Sequence, residues 1–241
     1  MAGGIPEPPW WRSREGAPRD RLPLTRDAIV EAALVVLERD GMAGLSMRKV
    51  AQELGAGASS LYWHVRDKEE LLSLLLDRIV GEAQVPEPDP ENWQEQVKEL
   101  MRASRRLLSN RRDAAQLSLG RIPAGPNSLP VMERNLAVAT ASGLPRRVVA
   151  LATDMFALYV GAFAYEMSLR VPPLGEEGVT PAQLADYFRS LPAEQFPNLT
   201  GLADDLTTPD ADERFEFALE LLVRGLEAMA EDRSGSTTIA P

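Results

Sequence analysis

Tyr62, Trp63 and His64 stand in a row between apolar Leu61 and Val65. Each carries a flat ring with a polar tip. A soluble core has little use for three such side chains side by side. On an exposed helix, each can meet a phosphate, a sugar or a base edge. Ser59 and Ser60 precede them, Lys68 follows and Arg48 lies upstream. A lysine at a helix start suits a phosphate, and an arginine suits a phosphate or a guanine edge.

Other chemistry is scarce. His64 is the only histidine and there is no cysteine, which excludes disulfides, thiol catalysis and metal centres built on thiolates or several imidazoles. His64 has no second ligand type beside it and no nucleophile in sequence reach. Gly55-Ala-Gly-Ala-Ser59 resembles a phosphate-cradling loop, but no strand precedes it and no Gly-Lys-Ser/Thr follows. There is no Gly-x-Ser-x-Gly elbow. Glu176-Glu177 and Asp204-Asp205 fall in loops and read as solvated surface. No enzyme, metal or cofactor is expected.

The elements that must position the aromatic row are helical. No two-residue alternation is convincing, so the chain reads as all-α. Thr25 caps a first helix whose stripe is Ile29, Ala32, Ala33, Val36 and Leu37, ended by Asp40-Gly41. Ser46 caps a second helix with Val50, Ala51 and Leu54 inward, and Gly55 stops it in a left-handed turn. A third helix is expected over about 58–65, anchored by Leu61 and Val65. Asp67 and Glu70 form a capping-box variant opening a fourth helix, with Leu71, Leu72, Leu75 and Ile79 inward. Small Ala51 and flexible Gly55 let the second and third helices cross closely, as a helix-turn-helix requires.

Beyond a proline-rich break at 85–90, helices are expected near 91–109, 113–120, 128–142, 145–170, 181–190 and 212–231. Loops rich in proline, glycine and acid are expected at 121–127, 171–179 and 192–211. The proline- and glycine-rich start, with Trp10-Trp11 beside Arg12 and Arg14, is no signal peptide. The expected organisation is a disordered tail at 1–20, a helix-turn-helix domain at 21–84, a larger helical ligand-binding and dimerisation domain at 85–232, and a disordered tail at 233–241.

The net charge of −10 is unevenly spread. Residues 21–84 hold 8 Lys and Arg against 10 Asp and Glu; residues 85–241 hold 15 against 23. Within 46–68, however, Arg48, Lys49, Arg66 and Lys68 outnumber Glu53 and Asp67, so a small positive face sits on an acidic body, which weakens non-specific binding to a polyanion and orients the protein upon it.

Residues 148–167 approach transmembrane length, but Asp154 and Glu166 interrupt them and aromatic belts are absent. They read as a buried soluble helix, with no membrane partner. Its small-residue stripe (Ala150, Asp154, Ala157, Gly161, Ala164, Ser168) admits a second helix closely. In the last helix, Phe215, Leu219, Leu222, Leu226 and Met229 make a heptad seam. Pairing both helices across a two-fold axis gives a four-helix homodimer interface, with Ala157, Gly161, Ala164, Phe215, Leu219, Leu222 and Leu226 as candidates. Full burial within one chain is the alternative.

LTRDAIVEAALVVLERDG, LSMRKVAQELG and LYWHVRDKEELL together resemble the DNA-binding domain of the TetR family of transcriptional regulators, over about residues 23–84. LYWHV followed by Lys68 is closest to the family's tetracycline-repressor branch. The resemblance implies that Met47, Arg48, Tyr62, Trp63, His64 and Lys68 fall on operator-contacting positions. Ala58 and Ser59 stand where that branch has glutamine and proline, and Met47 where it has threonine. The glutamine reads a base edge and alanine cannot, so the operator should differ while the docking mode stays. The DNA-contacting set is then Met47, Arg48, Ala58, Ser59, Ser60, Tyr62, Trp63, His64 and Lys68.

FPNLTGL and ERFEFALELLVRGLE resemble the same branch's C-terminal domain, which implies an effector pocket. That branch uses histidine in a magnesium–drug site, and none stands beyond residue 64, so a largely apolar small molecule fits better. Met101, Leu108, Gln116, Met132, Phe156, Tyr159 and Phe163 are candidates for its lining. The expected protein is a cytoplasmic homodimer that binds double-stranded operator DNA and is released by a small-molecule effector. An activator on the same fold is the nearest alternative. A small-molecule-binding enzyme or carrier with a scaffold helix-turn-helix is a more distant one.

Overall fold

The computed structural model describes residues 24–169 and 179–231, and every regular element among them is a helix. The expectations for both tails, including Trp10-Trp11, and for most of the loop at 171–179 lie outside the described residues. The chain divides into two compact units, one reaching to Ser168 and resuming at Leu226, the other spanning Leu169–Gly225.

In the first unit, α1 (Arg26–Gly44) is capped by Thr25, whose hydroxyl accepts from the Ala28 amide at 3.1 Å. Gly41 kinks it with φ 72, so the expected stop at Asp40-Gly41 is a break followed by one more turn. Ser46 caps α2 (Met47–Glu53) by accepting from Lys49 N at 3.3 Å, and Gly55 takes φ 61 in the turn. Then come α3 (Ala58–Leu61) and α4 (Lys68–Val80). The predicted inward stripes meet in one core: Ile29, Ala33, Val36, Leu37, Val50, Leu61, Val65, Leu71, Leu75 and Ile79 are each fully enclosed.

That core does not stop at the helix-turn-helix. Ala114 and Leu117 belong to it, and Leu107 and Leu108 pack against it. They come from α5 (Trp93–Ser109) and α6 (Ala114–Ser118). With α7 (Ser128–Ala141) and α8 (Arg146–Ser168), these build the rest of the unit, α8 packing on α5, α6 and α7. The second unit holds α9 (Pro181–Ser190), α10 (Pro197–Gly201), α11 (Ala203–Thr207) and the first part of α12 (Ala211–Glu231). The expected loop at 192–211 therefore contains two short helices. Pro197 at the first helical position of α10 favours that start, because its missing N–H would go unused there.

A buried carboxylate ties α4 to α7. Asp77, 2 % exposed, accepts from Ser128 N at 2.8 Å, Ser128 Oγ at 2.7 Å and Asn127 Nδ2 at 2.7 Å. Its charge thus sits at the start of α7, where orphan amides and the helix dipole favour an anion. Asp77→Ala would leave these donors buried and unsatisfied. We expect it to cost about 2–4 kcal/mol in urea unfolding; a loss under about 0.5 kcal/mol, the range of an ordinary surface change, would show that the tie carries no weight.

α8 is long and apolar enough to cross a membrane, yet its two faces differ. Val149, Ala152, Val160, Phe163 and Ala164 are buried, whereas Leu151, Met155 and Leu158 are exposed. The small-residue stripe does not all face outward. A Cβ on Gly161 would lie 3.3 Å from Ser118 Oγ and 3.5 Å from Leu119, so the close approach there is made by the segment around α6. Gly161 and Ala164 are buried within the chain, and Ala157 is exposed. On α12, Phe215, Leu219 and Leu226 of the heptad seam are likewise buried, and Leu222 is half-buried. Val223 joins that inner row, and Phe217, Leu221 and Met229 face outward.

Candidate nucleic-acid interface

The aromatic row sits on a tightened turn rather than within a long helix. α3 is four residues, Ala58–Leu61. Val65 N then bonds Leu61 O at 2.9 Å in helical register, while His64 N bonds the same carbonyl at 2.9 Å one residue short of it. A last turn wound in this way is common where a helix ends. It corrects the expectation of a helix running to Val65. Leu61 and Val65 are fully buried and pin both ends of the turn, so Tyr62 and Trp63 are thrown outward, at 45 % and 54 % exposure. His64 is half-buried.

The remaining predicted contact residues divide. Arg48, Ser59 and Lys68 are exposed, and Ala58 and Ser60 are half-buried. Met47 is only 6 % exposed and belongs to the core. It opens α2 with an apolar side chain, and burial removes that side chain from the surface a ligand would meet. Lys68 begins α4, its Nζ donating to Met42 O at 3.5 Å.

The positive face is narrower than the sequence suggests. Arg66 Nε pairs with Asp67 Oδ2 at 2.8 Å, and Lys49 Nζ with Asp40 Oδ2 at 2.8 Å. Arg39 adds pairs to Asp40 at 3.1 Å and Glu53 at 2.8 Å, bracing α1 against α2. Arg48 and Lys68 are exposed as well.

Two carboxylates here are held below the ordinary aspartate range. For Asp67 the main cause is the Glu70 amide, which donates to it at 2.8 Å as the cap of α4, with Arg66 second. For Asp40 it is the hydrogen bond from Lys49, then that from Arg39. A carboxyl pKa lowered by folding stabilises the fold at neutral pH. That contribution is full above the unfolded value and is lost as pH falls through the lowered one. The α4 cap should therefore persist until below the ordinary aspartate range. In an acid titration followed by circular dichroism, Asp67→Asn should show a shallower acid limb than the parent; identical limbs would mean the cap does not titrate with folding.

The effector-lining candidates gather only in part. Met101 and Phe163 are buried, and Met132, Phe156 and Tyr159 are half-buried, on the mutually packed α5, α7 and α8. The Tyr159 and Phe163 rings lie 5.9 Å apart, and the Arg105 guanidinium stands 5.0 Å from the Phe163 centroid. Asn135 Oδ1, on α7, is buried without a hydrogen-bond partner. Leu108 packs instead on the core of α1–α4, and Gln116 is exposed. A groove of about 590 Å³ lies elsewhere, beside α1 and α4, and is lined by the paired Glu31 and Arg78 and by Glu82 and Arg111. No group of three metal-ligating side chains occurs among the described residues.

Comparison with known proteins decides the family. Residues 29–75 match the family described as bacterial regulatory proteins, tetR family, and residues 85–230 match the tetracyclin repressor-like C-terminal domain. The chain belongs to the TetR family of transcriptional regulators. An HTH-type transcriptional regulator of Saccharopolyspora erythraea is 36 % identical over 230 residues, 94 % of either chain. The HTH-type transcriptional repressor DrrR1 of Streptomyces coeruleorubidus is 30 % identical over 238 residues, 95 % of this chain and 86 % of that one. The crystal structure of the TetR family protein ActR from Streptomyces coelicolor, in complex with actinorhodin, superposes with a TM-score of 0.79. It is 45 % identical and covers 86 % of this chain and 98 % of that one. As a TetR-family protein the chain is an all-α, helix-turn-helix transcriptional regulator.

Sequence reasoning missed what holds the aromatic turn from behind. Arg26, at the start of α1, and Glu70, in the first turn of α4, are both buried and face each other with 3.6 Å between Nη2 and Oε1. They stand 44 positions apart, and no local spacing connects them.

Proposed function

We propose that the protein is a ligand-responsive repressor that binds a roughly palindromic operator as a homodimer in the cytoplasm. The exposed Tyr62 and Trp63, pinned from below by buried Leu61 and Val65, carry this reading. Each protomer lays that turn in a major groove, with Arg48, Ser59, Ser60, His64 and Lys68 as further contacts. The reading head is 21–84 and the effector-binding and dimerising body 85–232. The kinship with the repressor DrrR1 supports the sign of regulation. No catalytic role is assigned. Gel-shift titration of genomic fragments around its own gene tests the reading; binding with neither sequence preference nor salt sensitivity would sink it.

The effector is a largely apolar small molecule held by Met101, Met132, Phe156, Tyr159 and Phe163. That ActR has been solved with actinorhodin supports a small-molecule ligand for this chain. Arg112 and Asp113, between α5 and α6, give such a ligand a route to the reading head. Arg112 Nη1 donates to Arg39 O at 2.7 Å and Glu38 O at 3.3 Å, carbonyls at the end of α1 before its kink. Asp113 Oδ2 accepts from Met42 N at 2.7 Å just beyond it. Asp113 holds φ 56, a strained value for a residue with a Cβ. A Cβ at Gly41 would come within 2.7 Å of its carboxylate, so glycine is what lets the two segments meet. A shift of α5 and α6 is thereby passed to the helix that braces α2.

Coupling between effector and operator is expected at about 1–3 kcal/mol. Arg112→Ala should leave operator affinity near that of the parent and shrink the effector-induced weakening about tenfold. Fluorescence anisotropy with and without saturating effector measures both. An unchanged ratio would remove Arg112 from the route.

A further inference from the structure

We infer that Arg26 and Glu70 form a buried brace that sets the pose of the reading turn and so governs operator specificity, an inference that rests on the DNA-binding reading above. Their side chains are 6 % and 0 % exposed. The chain they enclose is the one that leaves the aromatic row. Arg26 Nη2 donates to His64 O at 3.4 Å, and Glu70 Oε2 accepts from Arg66 N at 2.8 Å. These two backbone groups flank Val65, and Arg26 and Glu70 meet between them. A capping box would have Glu70 accept from the N-cap residue, Asp67. Here it reaches one residue further back, to the strand of chain that follows the turn.

The turn needs such a brace. α3 is one turn long, and after it the amides of His64 and Val65 share a single carbonyl, that of Leu61. A helix that short has no stability of its own. Leu61 and Val65 fix its depth in the core, with Ala58 packed beside them, but apolar contacts are non-directional and resist a roll of the turn less than hydrogen bonds do. Directional bonds from Arg26 to residue 64 and from Glu70 to residue 66 oppose that roll, because each is anchored in a longer helix. Rolling would move the Tyr62 and Trp63 ring tips sideways across the surface. Contacts to base edges fail with small displacements, whereas attraction to the phosphate backbone tolerates them. The brace therefore acts on discrimination more than on attraction. A buried ion pair is also a poor stabiliser compared with apolar side chains of similar volume, so stability alone gives little reason for one here.

The test uses the full-length protein and two duplexes: one selected by the parent from a random-sequence pool, the other a scramble of the same composition. Replacing both residues by apolar ones, Arg26→Met with Glu70→Leu, removes the directional bonds without burying a lone charge. The double variant should match or exceed the parent in melting temperature and bind the scrambled duplex within about twofold. It should lose about tenfold or more on the selected duplex, as expected when base contacts are misplaced. A double variant that keeps the parent's selected-to-scrambled ratio overturns the inference. A second pair reads the same point where folding suffers: Glu70→Gln keeps an acceptor for Arg66 N and should retain most of the ratio, while Glu70→Ala, assayed well below its melting temperature, should lose it. Equal ratios for Gln and Ala also overturn the inference. Failure of the parent itself to select any duplex would count against the DNA-binding reading instead.

Discussion

Trp63→Ala should lower affinity for the operator by roughly 30-fold or more while leaving the fold intact. The indole is 54 % exposed, so truncating it opens no cavity. Surface changes of this kind sit within about ±0.5 kcal/mol of the parent in stability. The loss on DNA is larger for two reasons. A good base-edge contact is worth about 1–3 kcal/mol, and a dimer makes it twice. The combined loss of about 2–6 kcal/mol corresponds to about 30- to 10⁴-fold in Kd. Tyr62→Phe is the graded control, since it keeps the ring and drops one hydroxyl. Anisotropy titration against the selected duplex, beside a thermal melt, separates recognition from folding. An operator affinity within threefold of the parent would mean that the indole faces solvent in the complex.

Much of this region was readable because its determinants are local. The stripes of α1, α2 and α4 follow the helical period, and their side chains are the ones that meet in the core. Thr25, Ser46 and Asp67 cap the helices they precede, since a cap is a contact between residues three apart. The outward aim of Tyr62 and Trp63 follows from the four-residue spacing of Leu61 and Val65. Contacts between distant positions were not readable. Nothing near Asp77 signals Ser128, nothing near Arg26 signals Glu70, and nothing near Gly41 signals Asp113. The length of α3 is not legible in the sequence because a 3₁₀-like final turn and a further α turn fit the same residues. The burial of Met47 is not legible either, because the family position it occupies does not say where a longer, apolar side chain goes. The orientation of α8 is ambiguous for a different reason: its small-residue stripe and its large-residue face are both apolar enough to be buried, so composition does not tell the inner face from the outer one.

That ambiguity bears on assembly. With Gly161, Ala164, Phe215, Leu219 and Leu226 buried in their own chain, other apolar side chains of α8 and α12 are open to a second copy. On α8 they are Leu151, Met155 and Leu158, at 61 %, 42 % and 64 % exposure, beside Ala157. On α12 they are Phe217 and Leu221, at 71 % and 61 %. We propose that a second copy covers each of these faces. Leu158→Glu and Leu221→Glu, made separately, should each shift the protein from dimer to monomer in sedimentation at micromolar concentration. Neither should disturb the protomer, since both leucines are already mostly in water. The consequence on DNA is severe. A tethered second head finds its half-site at an effective concentration that adds about 10²–10⁴-fold to affinity, and a monomer forfeits it. Operator affinity should fall by that factor, while binding to an isolated half-site stays as it was. A variant that sediments as a dimer would clear that face of any part in assembly. A monomeric variant with full operator affinity would break the link between the two-fold axis and the palindrome.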